Sequence, residues 1–109
     1  MRTRDLDRLN RKIARLLGRD VFRAGQCWYI RCGDISDTYG RESVPDYARD
    51  LNVCVAACEK AGLHWEIGSN FAGITAGVSA PGGLWVGAKG TTPALALARA
   101  LRQATEART

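Results

Sequence analysis

One histidine, His64, is all the imidazole in this 109-residue chain. Histidine-based catalysis or a multi-histidine metal site therefore has a single candidate to build on. No run of 18 apolar residues occurs, so no membrane-spanning helix is expected. The opening MRTRDLDRLNRK is not followed by an apolar stretch, so no secretory signal is expected. The expected setting is intracellular, where the four cysteines should be mostly reduced. Serine-hydrolase elbow and chymotrypsin-like patterns are missing. Internal repeats, low-complexity segments and recognised nucleic-acid-binding motifs are missing as well.

What the chain does have is an uneven charge. Residues 1–25 carry seven Arg and one Lys against three Asp, a surplus of five. Residues 26–109 are balanced, eight basic against eight acidic. The net charge of +5 thus belongs to one N-terminal segment.

The rest is organised around residues 63–89, LHWEIGSNFAGITAGVSAPGGLWVGAK. Leu63, Trp65 and Ile67 alternate with His64, Glu66 and Gly68. Ala72, Ile74, Ala76 and Val78 alternate with Phe71, Gly73, Thr75, Gly77 and Ser79. Leu84, Val86 and Ala88 alternate with Trp85, Gly87 and Lys89. Period-two alternation marks strands. Ser69-Asn70 and Ala80-Pro81-Gly82-Gly83 supply turn residues between them. This predicts an antiparallel three-stranded meander, which needs covering helices to be stable.

Three helices are available. Leu6, Leu9, Ile13, Leu16 and Leu17 form a stripe over residues 5–17, with Thr3 as a candidate N-cap and Gly18 as the stop. Its outward face carries Arg4, Arg8, Arg11, Lys12, Arg15 and Arg19. That face is either a solvated surface with i,i+4 compensation or an anion-facing edge. A second helix is predicted from Asp46 or Tyr47 to Ala61, with Asp46 as N-cap and an apolar side of Leu51, Cys54, Val55 and Cys58. A third begins at Thr92-Pro93, a threonine N-cap before a proline. Ala94, Leu97, Ala98, Leu101 and Ala104 are its expected core face. Arg99, Arg102, Gln103 and Glu106 are expected to face water. Cys27-Trp28-Tyr29-Ile30-Arg31-Cys32 has the composition of a short extra strand, followed by the polar loop GDISDTYGRESVP.

Pro45, Tyr47 and Leu51 open the second helix, Thr92-Pro93-Ala94-Leu95-Ala96 opens the third, and Asp5-Leu6-Asp7-Arg8-Leu9 stands in the first. Together these resemble the phage ABA sandwich domain, a family of small bacteriophage proteins, over residues 4–18 and 44–104. The chain departs from that pattern at Val55, where a Trp is common, and after Trp28, where YIRCGDISDTYG replaces an acidic, Gly-containing stretch. The resemblance implies helices on both sides of a small antiparallel sheet and a phage origin; the family brings no established chemistry.

The expected fold is therefore α+β. A three-stranded meander, with a candidate fourth short strand, is sandwiched by three helices in one domain over 1–109. Residues 1–19 form its basic helix and 44–107 its helix–meander–helix core. Zinc is disfavoured, because Cys54/Cys58 and Cys27/Cys32 lack the tight spacing of structural knuckles. Cys54 and Cys58 suit a helix's apolar side better. His64 has no sequence neighbour that makes it half of a Cys/His pair. Asp34, Asp37, Glu42, Asp46 and Asp50 could bind a divalent ion, but a polar loop and a helix cap explain them more simply. The chain is expected to be a non-enzyme with neither metal nor cofactor.

Two features suit a ligand. Lys89, Gly90, Thr91 and Thr92 precede the third helix, where free N–H groups, hydroxyls and a cation favour an anion, although an ordinary cap uses the same residues. Gly73, Thr75, Gly77 and Gly87 share a face with Trp85, which leaves room either for a close helix or for a flat ligand. The leading expectation is a phage accessory protein, in the host cytoplasm, that sequesters an anionic nucleotide-like molecule such as a host defence signal. The alternative is a nucleic-acid or host-protein interaction through the basic helix. A homo-oligomer, with a dimer favoured, is expected because a three-stranded meander leaves two poorly protected edges.

Overall fold

The computed structural model describes residues 3–31 and 41–108. Cys32, Asp34, Asp37 and most of the predicted polar loop lie outside the described residues. The elements run α1 (Thr3–Leu16), β1 (Val21–Ala24), β2 (Cys27–Arg31), β3 (Arg41–Ser43), α2 (Leu51–Lys60), β4 (His64–Asn70), β5 (Gly73–Ser79), β6 (Val86–Gly90) and α3 (Pro93–Arg108). The fold is α+β, with two separate three-stranded antiparallel sheets, β1-β2-β3 and β4-β5-β6. The extra strand at Cys27 thus exists, but it is the centre of its own small sheet and does not extend the meander.

The two local stops read from glycine are formed. Gly18 takes φ +83, with Arg19 N donating to Ala14 O at 2.9 Å and Gly18 N to Arg15 O at 3.0 Å. Gly62 repeats the pattern at φ +73. Both satisfy the last helical carbonyls through a left-handed residue.

Four boundaries differ from expectation. Helix α1 runs Thr3–Leu16, so Thr3, the candidate N-cap, lies within the helix. The start of α2 is Leu51, four residues later than the sequence suggested, and its N-cap is Asp50, whose side chain accepts from Asn52 N and Val53 N. Asp46 has other partners: Asn10 Nδ2 donates to it at 2.9 Å and Arg49 Nη1 at 3.0 Å. The first hairpin turn is Phe71-Ala72, because Asn70 pairs with Gly73 as the last rung and its Oδ1 accepts from Ala72 N. The third strand begins at Val86, leaving Leu84 and Trp85 in the preceding connection, where Leu84 is 92% exposed.

The layering also differs. Helix α3 packs on β4, β5 and β6 and also on α1 and α2, and α2 itself reaches β4. Among the described residues no helix covers the sheet's second face. The residues give the reason. Leu95, Ala96, Leu97, Ala98, Ala100 and Leu101 are all buried, so the first half of α3 presents apolar surface to more than one neighbour, and Gln103 and Glu106 remain exposed further along. Register sorts the sheet into helix-facing rows, Trp65–Val78–Val86, Ile67–Ala76–Ala88 and Ser69–Ile74–Gly90, and opposite rows, Glu66–Gly77–Gly87 and Gly68–Thr75–Lys89. The opposite rows hold little apolar area, so covering them would contribute little.

Asn10 ties α1 to the turn before α2. It is buried, donates to Asp46, and its Oδ1 accepts from the Ala48 N–H at 2.8 Å. Asn10→Ala would leave that buried N–H without its partner, at a cost of about 2 kcal/mol. A thermal melt should show a fall of roughly 10 °C; a melt indistinguishable from wild type would contradict the role given to Asn10.

Candidate functional site

The uncovered face of β4-β5-β6 forms a groove of about 610 Å³, floored by Gly68, Gly77 and Gly87 and walled by Glu66, Thr75, Trp85 and Lys89. Antiparallel pairing builds it. Thr75 lies directly opposite Lys89, and Gly77 lies between Glu66 and Gly87. Trp85, half exposed at 52%, leans over Gly77 from the connection before β6. A Cβ on Gly77 would stand 3.1 Å from Trp85 Cε3 and 3.5 Å from Glu66 Cγ. The glycine is what lets the indole and the glutamate share that place. The groove is amphoteric, with a carboxylate at the Gly77 row and an ammonium with a hydroxyl one row along.

Of the six ligand-binding residues expected from sequence, Trp85, Thr75 and Lys89 come together here. Gly90, Thr91 and Thr92 do not line the groove. Gly90 faces α3, where a Cβ would lie 2.6 Å from Ala96 N. Thr92 is occupied as a cap: its Oγ1 accepts from Leu95 N at 3.1 Å and its carbonyl from Ala96 N at 3.0 Å. Of the glycines that shared a face with Trp85 in the sequence reading, Gly77 and Gly87 lie on the side that no described helix covers; close helix approach is found instead at Gly90, which was not among them. Glu66 was not among the expected site residues. Strand parity could have placed it, since it alternates with Trp65 and Ile67.

The basic face of α1 is partly committed within the molecule. Arg11 and Arg15 lie over the Trp28 ring, their guanidinium carbons 4.7 and 5.7 Å from its centroid. Lys12 pairs with Glu106 of α3 at 3.7 Å. Arg4 and Arg8 are exposed. Arg19 is half-buried and lines a second cavity, of about 510 Å³, with Leu17, Pro45, Tyr47, Val53 and Lys60. Burial raises the Tyr47 phenol, and Arg19 opposes that shift by favouring the phenolate.

The other chemical candidates have structural places. Cys54 and Cys58 are fully buried one turn apart on α2. A hydrogen bond with Cys58, together with burial, pushes the Cys54 thiol up, which suppresses its nucleophilic thiolate. Cys27 is exposed and His64 is exposed on β4. Asp50 caps α2, and Asp46 serves Asn10 and Arg49. Among the described residues no three His, Cys, Asp or Glu side chains are grouped to hold a metal ion. Among them, too, no helix is long and apolar enough to cross a membrane.

No family model matches the chain. No curated protein matches it at a significant level. Among solved structures it is similar to a phage protein from Bacillus cereus ATCC 14579. The TM-score is 0.65 at 19% identity, over 96% of this chain and 92% of that one. At that identity the likeness shows a shared fold.

Proposed function

We propose that this is a small, non-enzymatic phage accessory protein that binds and sequesters a nucleotide-like molecule in the open groove. A host anti-phage signal is one such molecule. The observation that carries the reading is the convergence of Trp85, the glycine floor, Thr75 with Lys89, and Glu66. A flat base fits beside the indole over glycine. Its amino edge can donate to Glu66, and its phosphate can reach Lys89 and Thr75. Glu66 repels phosphate at its own end, so the groove favours a ligand with one anionic end over a simple polyanion. The phage setting is supported by the fold shared with the Bacillus cereus phage protein and by the resemblance to the phage ABA sandwich domain.

Calorimetric titration with AMP, cyclic mononucleotides and ADP-ribose tests the reading. At least one should bind, and Trp85→Ala should weaken that binding roughly tenfold. Lys89→Gln should weaken phosphate-bearing ligands more than the parent nucleoside. Heat from none of the panel, or binding indifferent to both substitutions, would sink it.

The reading through α1, for nucleic acid or a host protein, has less support, because Lys12 pairs with Glu106 and Arg11 and Arg15 meet Trp28, which alternation places on the same inward face as Ile30. The two sheet edges, β4 and β6, also support a dimer, which would cover one of them. Light scattering on a gel-filtered sample should give about twice the 11.8 kDa chain mass; the monomer mass at micromolar concentration would refute the dimer.

A further inference from the structure

The small sheet has an outer face that the groove does not use. Val21 and Ile30 point inward, and Ile30 is only 1% exposed. Alternation then places Phe22, Tyr29, Arg31 and Arg41 on the opposite face. Phe22 and Tyr29 are cross-strand partners with ring centroids 5.9 Å apart, tilted by 33°. Arg31 lies over Phe22 at 4.7 Å and Arg41 over Tyr29 at 4.6 Å. Arg31 and Arg41 are themselves register partners and both are exposed. Among the described elements, α1 packs against β1 from the inner side and no helix covers this outer face.

We propose that this face binds single-stranded nucleic acid. The observations place two aromatic rings side by side, each beneath an exposed planar cation. Unpaired bases stack on aromatic rings and on guanidinium planes alike, and arginine then neutralises the adjoining phosphates. Bases in a duplex are stacked on each other and cannot reach such a surface. The platform spans about two nucleotides, so sequence preference should be weak. One constraint is internal: Arg31 also pairs with Asp20, Nε to Oδ2 at 2.6 Å. That carboxylate holds the guanidinium beside Phe22 and leaves Arg41 the freer phosphate ligand.

Fluorescence anisotropy with a short labelled oligothymidine and a labelled hairpin duplex, at low and moderate salt, tests the proposal. The single strand should bind more tightly than the duplex. Phe22→Ala and Tyr29→Ala should each weaken it roughly tenfold. Arg41→Gln should flatten the log–log salt slope by about 0.7. Trp85→Ala should leave it unchanged, which separates this site from the groove. Equal affinity for duplex, no binding at low salt, or a loss that follows Arg41 and ignores the rings would each overturn it. Should an aromatic variant melt abnormally, photo-crosslinking of an iodouridine oligonucleotide to the wild-type chain replaces it. Adducts on Phe22 or Tyr29 support the site; adducts confined to α1 or Trp85 refute it.

Discussion

Gly90→Ala is expected to destabilise the protein by about 3 kcal/mol, an overpacking cost at the upper end of the usual range. For a domain of this size the melting temperature should drop by roughly 15 °C. The added Cβ would lie 2.6 Å from Ala96 N and 3.0 Å from both Ala96 Cα and Leu95 C. Those are backbone atoms in the first turns of α3, with no flexible side chain that could move aside. Gly90 does not take a left-handed φ, so proximity alone requires the glycine. Gly87→Ala is the internal comparison. On the same strand, its Cβ would meet only Ala76 O at 3.8 Å, an ordinary contact, so its melt should stay close to wild type. Equal losses at the two positions would mean that β6 does not pack on α3 as described.

Leu101→Ala should cost about 3–4 kcal/mol, as for other fully buried leucines truncated in a packed core. Leu101 is 0% exposed on α3, the helix that packs on the sheet and on both α1 and α2. Leu84→Ala removes the same atoms from a side chain 92% exposed, so its effect should lie within about 0.5 kcal/mol. Denaturant midpoints of the two variants measure the contrast. A large loss at Leu84 would put it back on the strand face where period-two alternation alone would place it.

That pair of leucines shows what the sequence could convey. Helix α3 was legible at its start, because a threonine acceptor before a proline is a local chemical signal, and the structure begins the helix at Pro93. Its central position was not legible. Alanine is small and weakly hydrophobic, so Ala96 and Ala100 do not announce that they are buried, although both are 0% exposed. The meander was legible from alternation, but its ends were not. Alternation continues through Leu84 and Trp85 in the chain, while the backbone there is still turning after Pro81 and Gly82. The start of α2 was misplaced because Asp46 and Asp50 are equally good caps in isolation. The difference lies in Asn10 and Arg49, which bind Asp46.

The groove was half legible. Trp85 and Thr75 came from shared strand parity, a local property, and Lys89 came from the helix-start signal but lies on β6 opposite Thr75. Gly90, Thr91 and Thr92 came from a helix-start signal, and the structure turns that signal inward to α3. Glu66 was legible by the same parity, since it alternates with Trp65 and Ile67, but its place beside Gly77 follows only from the strand pairing. The layering was misjudged because the small buried residues of α3, Ala96, Ala98 and Ala100 among them, widen its apolar surface beyond one stripe, and which neighbour meets each part is a tertiary choice.

The most direct test of the groove as a ligand site is amide and indole shift mapping on isotope-labelled protein titrated with AMP. The expected result is saturable shifts at Gly68, Thr75, Gly77, Gly87 and Lys89 and at the Trp85 indole N–H, with Thr91, Thr92 and α1 unmoved. Shifts centred on the Thr91-Thr92 cap or on the arginines of α1, or no shift at any residue, would contradict it.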